Sequence, residues 1–444
     1  MGGNEGSREP QEIYILVTGA NSGLGFSICC RLADEFLSSH PEEDSLTVIF
    51  TTRSSRKAQE TRRRLEAHLK SSASSSETPR VKFVSESVDL GDLLSARKLS
   101  RRLLRTIPKL DAIILNAGIG GWSGLNWPAA VWGVCTDLIQ QVTWPTYKVA
   151  PAGVLTRKQT EKEEEPPLGS VFCANVFGHY MLAHNVMPLL KRAQAPSGPG
   201  RVIWVSSIEA TVKAFNVDDI QGLKTCVPYE SSKALTDILA LTSDLPSAAP
   251  WAIDSFMHSD EDFDTGDLSP TSNTPAIYLS HPGICATSIV PLPLPLIWAM
   301  VAAFWLARML GSPWHTMSTY LGAWSPVFLA LSTTAALGAA ESPYRQSGGG
   351  RVKWGSSASR SGVGNLCSTE IEGWGYGGVV GAPVVEADRL RRRKRGATDL
   401  TLEEKENFEE LGRQCWKQME EMRIKWDSIL DEAEKKKPTA ENAQ

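Results

Sequence analysis

The chain has 444 residues, 42% of them apolar, with a formal charge of -4. That length can bury a full core in one large domain, or in one domain with an appendage, and the near-balanced charge excludes a global recruitment of nucleic acid. Eight cysteines without metal-ligand spacing read as inert thiols in a reducing compartment, and the start MGGNEGSREPQ has neither signal-peptide character nor a myristoylation pattern.

Residues 1–11 are expected to be a flexible N-terminus. Ile15-Leu16-Val17 then reads as a buried strand, running into the turn Gly19-Ala20-Asn21-Ser22-Gly23-Leu24-Gly25, after which Phe26, Ile28, Cys29 and Leu32 begin a helix. Strand, tight turn and helix N-terminus make a pyrophosphate cradle, in which free backbone N–H groups face the anion and glycine permits close approach. The spacing is G-x-x-x-G-x-G, not the commoner G-x-G-x-x-G, and such a turn can also be plain architecture. The next strand, Val48 to Arg53, ends in Thr51-Thr52-Arg53 where an NAD site usually carries Asp or Glu for the ribose 2′-hydroxyl. A guanidinium suits a 2′-phosphate, so Thr52 and Arg53 favour NADPH over NADH; a solvated arginine beside the sheet is the alternative.

Residues 56–70 form a charged helix with Leu65 and Leu69 as its thin apolar face, followed by a loop to Thr78. The strand VKFVSESVDL ends at Asp89, which either accepts from an adenine amino group or caps the basic helix over 93–106. Leu110 to Leu115 is a further strand, and Asn116-Ala117-Gly118 after it is small enough for the nicotinamide-side ribose to pass. Strand–helix alternation with strands apolar on both faces predicts an α/β fold, a doubly wound, mostly parallel Rossmann-type sheet.

The pattern breaks over 119–169, an aperiodic insert carrying Trp122, Trp127, Trp132 and Trp144 and ending in a charged run read as a solvated loop. Order resumes with an apolar helix over 171–190 containing Asn175, then a strand from Val202 to Val205 ending in Ser206-Ser207. After a gap of 21 residues, Tyr229-Glu230-Ser231-Ser232-Lys233 opens a helix on which Tyr229 and Lys233 share a face. The stretch from 247 to 272 is acidic and turn-rich, and the acidic loop 253–269 within it receives no role. A late strand, Ala276 to Ser280, leads into His281-Pro282-Gly283 and Thr287.

Ile289 to Ala307 is a run of nineteen apolar residues before Arg308, just long enough to span a bilayer, but its first third alternates proline with leucine. A monotopic flap that dips into one leaflet and opens the pocket toward lipid is favoured; buried packing and a true span are the alternatives. Positions 346–382, rich in Gly and Ser, read as irregular structure. The basic block 389–395 reads as a solvated charge run, with lipid headgroups or a nuclear signal as alternatives. A helix over 401–436 follows, with Thr401 as its cap and a stripe of Phe408, Leu411, Cys415, Met419, Met422 and Trp426 that docks on the main domain. The expected organisation is a catalytic domain over 12–345, with the insert 119–169 and the apolar segment 289–310, and an irregular then helical extension over 346–444.

Asn175, Ser207, Tyr229 and Lys233 come from separate elements and form the candidate catalytic set. Reduction of a ketone needs a hydride on carbon and a proton on oxygen, and a tyrosine with a pKa of about 10 is a sluggish proton carrier near neutrality. A lysine one turn away, with the cationic nicotinamide of an oxidised cofactor, favours the phenolate. A serine hydroxyl at an adjacent strand end can donate to the same oxygen, and the Lys233 ammonium can hold ribose hydroxyls. Each residue alone has a bland reading as a cap or an exposed face; the ordered set downstream of the glycine turn does not.

TGANSGLG at 18–25, NAG at 116–118, Asn175, Ser207 and YESSK at 229–233 resemble the short-chain dehydrogenase/reductase family over about residues 12–290. The resemblance implies a cofactor turn of Thr18, Gly19, Asn21, Ser22, Gly23, Leu24 and Gly25, with Asn116, Ala117, Gly118, Pro282, Gly283 and Thr287 as further cofactor contacts. It also implies a relay role for Asn175, substrate orientation by Ser207, and Tyr229–Lys233 as the reactive pair. In most of the family the serine lies nearer the tyrosine, where this chain has Asn216; the extra length reads as a loop insertion, with Ser206 as the fallback. NVFGHYMLAHNVMPLL, the tryptophan-bearing insert, WVSSIEA and ELGRQCWKQMEEMR look like the fungal 3-keto-steroid reductases of sterol C-4 demethylation. That narrower resemblance implies NADPH-dependent reduction of the C3 ketone of a 4-methyl or 4-desmethyl 3-keto sterol to the 3β-hydroxy sterol in ergosterol biosynthesis. It further implies the cytosolic face of endoplasmic reticulum membranes and lipid droplets, beside the other demethylation enzymes, with a homo-oligomer left open. The rivals are the same chemistry on another bulky lipid carbonyl, such as a retinoid, and a non-catalytic lipid-binding scaffold.

Overall fold

The computed structural model describes residues 9–72, 80–162, 164–193, 198–258, 274–286 and 294–436. Most of the expected flexible N-terminus, the loop before Thr78, most of the acidic stretch, Thr287 and the proline-rich start of the apolar segment therefore lie outside the described residues. The strands are β1 Glu12–Val17, β2 Ser45–Thr52, β3 Val81–Ser87, β4 Ala112–Leu115, β5 Gly124–Leu125, β6 Lys148–Val149, β7 Arg201–Val205, β8 Ala276–His281, β9 Lys353–Ala358 and β10 Gly364–Ser368. Eight of them make one sheet in the order β10-β9-β8-β7-β4-β1-β2-β3. Every pairing in it is parallel except β9 with β10.

Chain order runs outward from β1 through β2 to β3, then reverses to β4 on the other side of β1. A crevice forms at such a reversal, outside the carboxyl ends of the strands. Both faces are covered, which is why the strands read as near-continuous apolar runs. Ile13, Ile15 and Val17 point into a layer with the helix Gly23–Ser39 and the helix Trp324–Leu331, whereas Leu16 points into the opposite layer with Phe177, Trp204, Leu239 and Trp416.

Three expectations are corrected. Residues 346–382 are not all irregular, since they supply β9 and β10. Their glycines serve close packing: a Cβ on Gly355 would stand 2.3 Å from the His281 ring, and one on Gly364 would stand 2.8 Å from Trp324. The 171–190 helix is broken, with a π-turn at Cys173–Phe177 between Ser170–Phe172 and Gly178–Asn185. The insert, read as aperiodic, has regular elements among its described residues. It holds the β5–β6 hairpin and the helices Trp127–Thr136 and Leu138–Thr143, which are capped by Asn126 accepting from the Ala129 N–H and Asp137 from the Gln140 N–H.

The helix Leu402–Lys436 begins with a reciprocal capping box between Thr401 and Glu404. Its apolar stripe packs along the helix Pro228–Thr242, with Gly412 so close that a Cβ there would lie 2.4 Å from Thr242 Oγ1. The Trp416 indole donates to the Leu239 carbonyl at 3.1 Å, the Tyr180 hydroxyl donates to Glu420 at 2.6 Å, and Arg97 pairs with Asp427 at 2.6 Å. The basic block is not simply solvated: Arg391 pairs with Asp388 at 2.8 Å, Arg393 with Glu370 and Asp399, and Lys394 with Glu372 at 3.1 Å.

Among the described residues no single helix is long and apolar enough to cross a membrane. Thr319–Leu331 and Thr334–Gln346 reach that composition together but meet at a 108° bend, and Val327, Leu329 and Leu337 are buried in the core.

Candidate active site

Gly19, two residues past β1, has φ +69°, a backbone conformation that favours glycine, and a Cβ there would lie 2.8 Å from the Ala117 Cβ. A Cβ on Gly25 would stand 2.3 Å from the Gly19 carbonyl oxygen. These contacts press the turn against the end of β4, leaving the N-terminus of Gly23–Ser39 open above it. Thr18, fully buried, locks the two strand ends: its hydroxyl oxygen accepts from the Asn116 N–H at 2.9 Å and the Ala117 N–H at 3.0 Å. The Asn116 side chain closes the lock by donating to the Thr18 carbonyl at 2.9 Å.

One cavity of about 790 Å³ runs from this turn past the ends of β4 and β7. Gly19, Asn21, Ser22, Gly23, Leu24, Gly25, Thr52, Arg53 and Asp89 line its first part; Asn116, Ala117, Gly118, Ser207, Tyr229, Lys233, Pro282 and Gly283 line its middle. Thr18 and Asn175 stand behind the wall as supports. Arg53 is exposed, with no ion pair among the described residues, whereas Asp89 does not cap the following helix, because Asp92 accepts from the Ser95 N–H instead. Asp89 accepts from the Gly91 N–H at 3.1 Å and faces Arg157 at 3.4 Å.

Asn175 lies in the π-turn, a helical irregularity common at functional sites. Its Oδ1 accepts from the Ile119 N–H at 2.8 Å, and its Nδ2 donates to the Ile119 carbonyl at 3.0 Å and to Ser232 Oγ at 3.1 Å. One turn later His179, missed in the sequence reading, sits 2.8 Å from Thr18 Oγ1 and 3.2 Å from the Asn175 carbonyl. Burial pulls its pKa down to about 3, so it is a neutral bridge between the cofactor turn and the π-turn.

Tyr229 stands in the first turn of Pro228–Thr242 with Lys233 one turn on, and its phenol interacts with the Ser207 side chain. Burial raises the Tyr229 pKa, the Glu209 carboxylate raises it further, and Ser207 opposes both. The expectation that Lys233 draws Tyr229 toward the phenolate is not met by the protein alone. Lys233 Nζ donates to the Val205 carbonyl at 2.8 Å and lies 5.9 Å from the Tyr229 ring centre. Burial draws the Lys233 pKa down to about 8. Tyr229 is thus a protonated phenol in the neutral range. Trp122 packs on its ring at 4.8 Å, and Lys148, ion-paired with Glu209, sits 4.0 Å above the Trp122 ring. The insert tryptophans were flagged in the sequence; Lys148 and Glu209 carried no signal beyond Glu209 lying two residues after Ser207.

The far end of the cavity is apolar. Helix Leu294–Met309 lines it with Leu296, Met300 and Phe304, and Trp127–Thr136 lines it with Ala130 and Val134. Their outer faces are bare: Trp298 is 72% exposed and Trp132 74%. Buried packing therefore does not describe the helix Leu294–Met309, whose buried residues are Ala307 and Arg308.

The glycine cradle, the open helix N-terminus and Arg53 fit a phosphorylated dinucleotide, and the apolar end leaves room for a bulky ketone. The chain is 62% identical over 434 residues to the 3-keto-steroid reductase of Aspergillus fumigatus, covering 95% of this chain and 96% of that protein. The 3-keto-steroid reductase of Gibberella zeae is 40% identical, with 95% of each chain covered, and that of Schizosaccharomyces pombe 31%, with 81% of this chain and 90% of that one. No family model matches. Among solved structures, a short chain dehydrogenase from Salmonella enterica aligns over 73% of this chain and 92% of its own at 17% identity and a TM-score of 0.39. The NADP complex of RhlG from Pseudomonas aeruginosa aligns over 73% and 90%, also at 17% identity and a TM-score of 0.39.

Proposed function

The chain belongs to the 3-keto-steroid reductases of the short-chain dehydrogenase/reductase family, and on that premise we propose that it reduces the C3 ketone of a 4-methyl or 4-desmethyl 3-keto sterol with NADPH. The observation that carries the reading is the meeting of Ser207, Tyr229 and Lys233 midway along a cavity with a dinucleotide cradle at one end and an apolar chamber at the other. Bound reduced nicotinamide supplies the hydride. Tyr229 holds the proton that the ketone oxygen receives, and Ser207 donates a hydrogen bond to that oxygen. Lys233, anchored on Val205, would hold the nicotinamide-side ribose. Asn175 ties the π-turn to Ser232, whose hydroxyl donates to the Tyr229 carbonyl at 2.7 Å, and so carries the relay side of the site. The apolar chamber excludes water and accepts a rigid hydrocarbon body.

The test is nucleotide oxidation by the detergent-supported protein with NADPH and NADH side by side. The ketones are a 4-methyl 3-keto sterol, a retinoid aldehyde and a long-chain acyl ketone. Selective NADPH turnover on the sterol is expected; turnover on another lipid overturns the substrate, and cofactor binding without any turnover overturns the enzyme reading. Arg53→Ala should raise the KM for NADPH about tenfold or more and leave that for NADH unchanged, because a charge-assisted hydrogen bond of about 1.5–3 kcal/mol is lost only where the 2′-phosphate is present. An equal rise for both nucleotides would remove Arg53 from the phosphate site.

The same reading extends to the cytosolic surface of the endoplasmic reticulum and lipid droplets, beside the other enzymes of C-4 demethylation. What supports it is the bare apolar face of the two helices flanking the chamber, one presenting Trp298 and the other Trp132 to the exterior. Wild-type protein should float with phospholipid vesicles, and the double variant Trp132→Ser, Trp298→Ser should stay behind with its fold intact. Equal flotation of the two would end the membrane proposal.

A further inference from the structure

Behind the catalytic wall lies a second lysine. Lys353, first residue of β9, and Asp237, one turn past Lys233, form an ion pair at 2.6 Å with both side chains 1% exposed. Neither lines the cavity. Their other hydrogen bonds run to the catalytic strand end: Lys353 Nζ donates to the Ser207 carbonyl at 2.7 Å, and the Ser206 hydroxyl donates to Asp237 Oδ1 at 2.5 Å. The pair therefore ties together three elements, β9, the end of β7 and the catalytic helix, at the point where Ser207 and Lys233 must keep register. Burying two charges involves a desolvation penalty that apolar residues of similar volume avoid, so stability alone is a poor reason for the pair.

We propose that the Lys353–Asp237 pair is a positioning device for the reduction, fixing the Ser206–Ser207 turn against the catalytic helix and setting the charge environment of Lys233. The inference rests on the reductase reading above. Lys233 faces Asp237 and Tyr229 on its own helix and Lys353 from β9. Lys353 faces His281 at the end of β8, with Arg391 also acting on that imidazole, and Glu209, Glu230 and Lys148 stand on the Tyr229 side. After burial, Asp237 is the main influence on Lys233 and raises its pKa, whereas Lys353 lowers it. Removing the carboxylate charge alone should therefore move the Lys233 pKa down, and the ammonium would be lost at a lower pH.

Asp237→Asn removes the charge while keeping an acceptor for Ser206. The Kd for NADPH, read from nucleotide fluorescence against pH with no sterol added, should weaken in the wild type as pH rises through about 8, and the break should move to lower pH in the variant. Its kcat on the 3-keto sterol should fall about tenfold to a hundredfold, the scale of a misplaced reacting group. The double variant Asp237→Leu, Lys353→Met removes both members of the pair, so neither is left as a buried charge without its partner; it should fold with a wild-type circular dichroism spectrum and show the same loss of kcat. A folded variant with wild-type kcat and an undisplaced Kd–pH break overturns the proposal, and if the double variant does not fold, the Asp237→Asn profile decides. A wild type that binds NADPH but reduces no ketone would defeat the reductase reading, while the Kd–pH break would still test the pair.

Discussion

Tyr229→Phe should lower kcat on the sterol ketone by about 10²- to 10⁴-fold, the range that one positioned proton donor supplies. The affinity for NADPH and the unfolding midpoint should stay at wild-type values, since the ring, its packing on Trp122 and the Lys233 bond to Val205 all survive. The pH dependence follows from the direction of the shift. Burial and Glu209 hold the Tyr229 pKa above its ordinary value, so the proton-bearing form fills the whole neutral range and is lost only as pH rises through the raised pKa. Reduction, which takes that proton, should show no loss of Tyr229 function at neutral pH. A Tyr229→Phe protein with undiminished turnover would mean that another group delivers the proton. Steady-state kinetics with a nucleotide-binding titration on the same preparation separates this from a folding defect.

The contrast between the parts of this site that were legible in the sequence and the parts that were not has a physical basis. The glycine turn, the strand-end serines and the Tyr229–Lys233 spacing are local: each is dictated by a few consecutive residues whose backbone or helical period leaves a visible pattern. The strands β1 to β4, β7 and β8 and their parallel, doubly wound sheet followed from strand–helix alternation. What escaped is what depends on distant chain segments. Lys353 reaches Ser207 and Asp237 only because β9 joins β8, and the Gly- and Ser-rich sequence of that region hides two strands whose small residues let Trp314 and His281 pack tightly against β9 and Trp324 against β10. Lys148 meets Glu209 across sixty residues of chain that carry no shared period. The π-turn at Asn175 was invisible for another reason: one extra residue in a helical turn leaves the apolar periodicity of 171–190 intact while re-aiming the polar groups inside it. The raised Tyr229 pKa of the protein alone was not foreseen because a lysine four residues away suggests a charge effect, whereas burial and the Glu209 carboxylate dominate in the protein without its nucleotide.

Trp416→Ala should destabilise the folded chain by about 3–5 kcal/mol, the cost of emptying a large aromatic site in a packed core. Trp416 is 1% exposed and packs against Tyr180 and Phe256 at ring-centre distances of 5.9 and 5.4 Å, with its indole N–H bonded to Leu239 on the helix that carries Tyr229 and Lys233. Truncation removes the ring and leaves the Leu239 carbonyl without that donor, so the cavity and the lost hydrogen bond act together. The C-terminal helix is thereby a buttress of the catalytic helix, held by apolar burial along its stripe and by the Arg97 bridges to Asp427 and Asp431 at its far end. Denaturant unfolding should show the midpoint falling sharply, with kcat of the remaining folded protein unchanged, because no atom of Trp416 reaches the cavity. Trp298→Ala supplies the comparison. That ring is 72% exposed, and its loss should leave stability within about 0.5 kcal/mol, as for surface substitutions in general, while weakening vesicle binding. The two tryptophans would then separate cleanly, one holding the catalytic helix in place and the other presenting the chamber to lipid. An unfolding midpoint in Trp416→Ala equal to that of the wild type would show that this ring is dispensable to the fold, and the buttress would have to rest on the other contacts of the C-terminal helix.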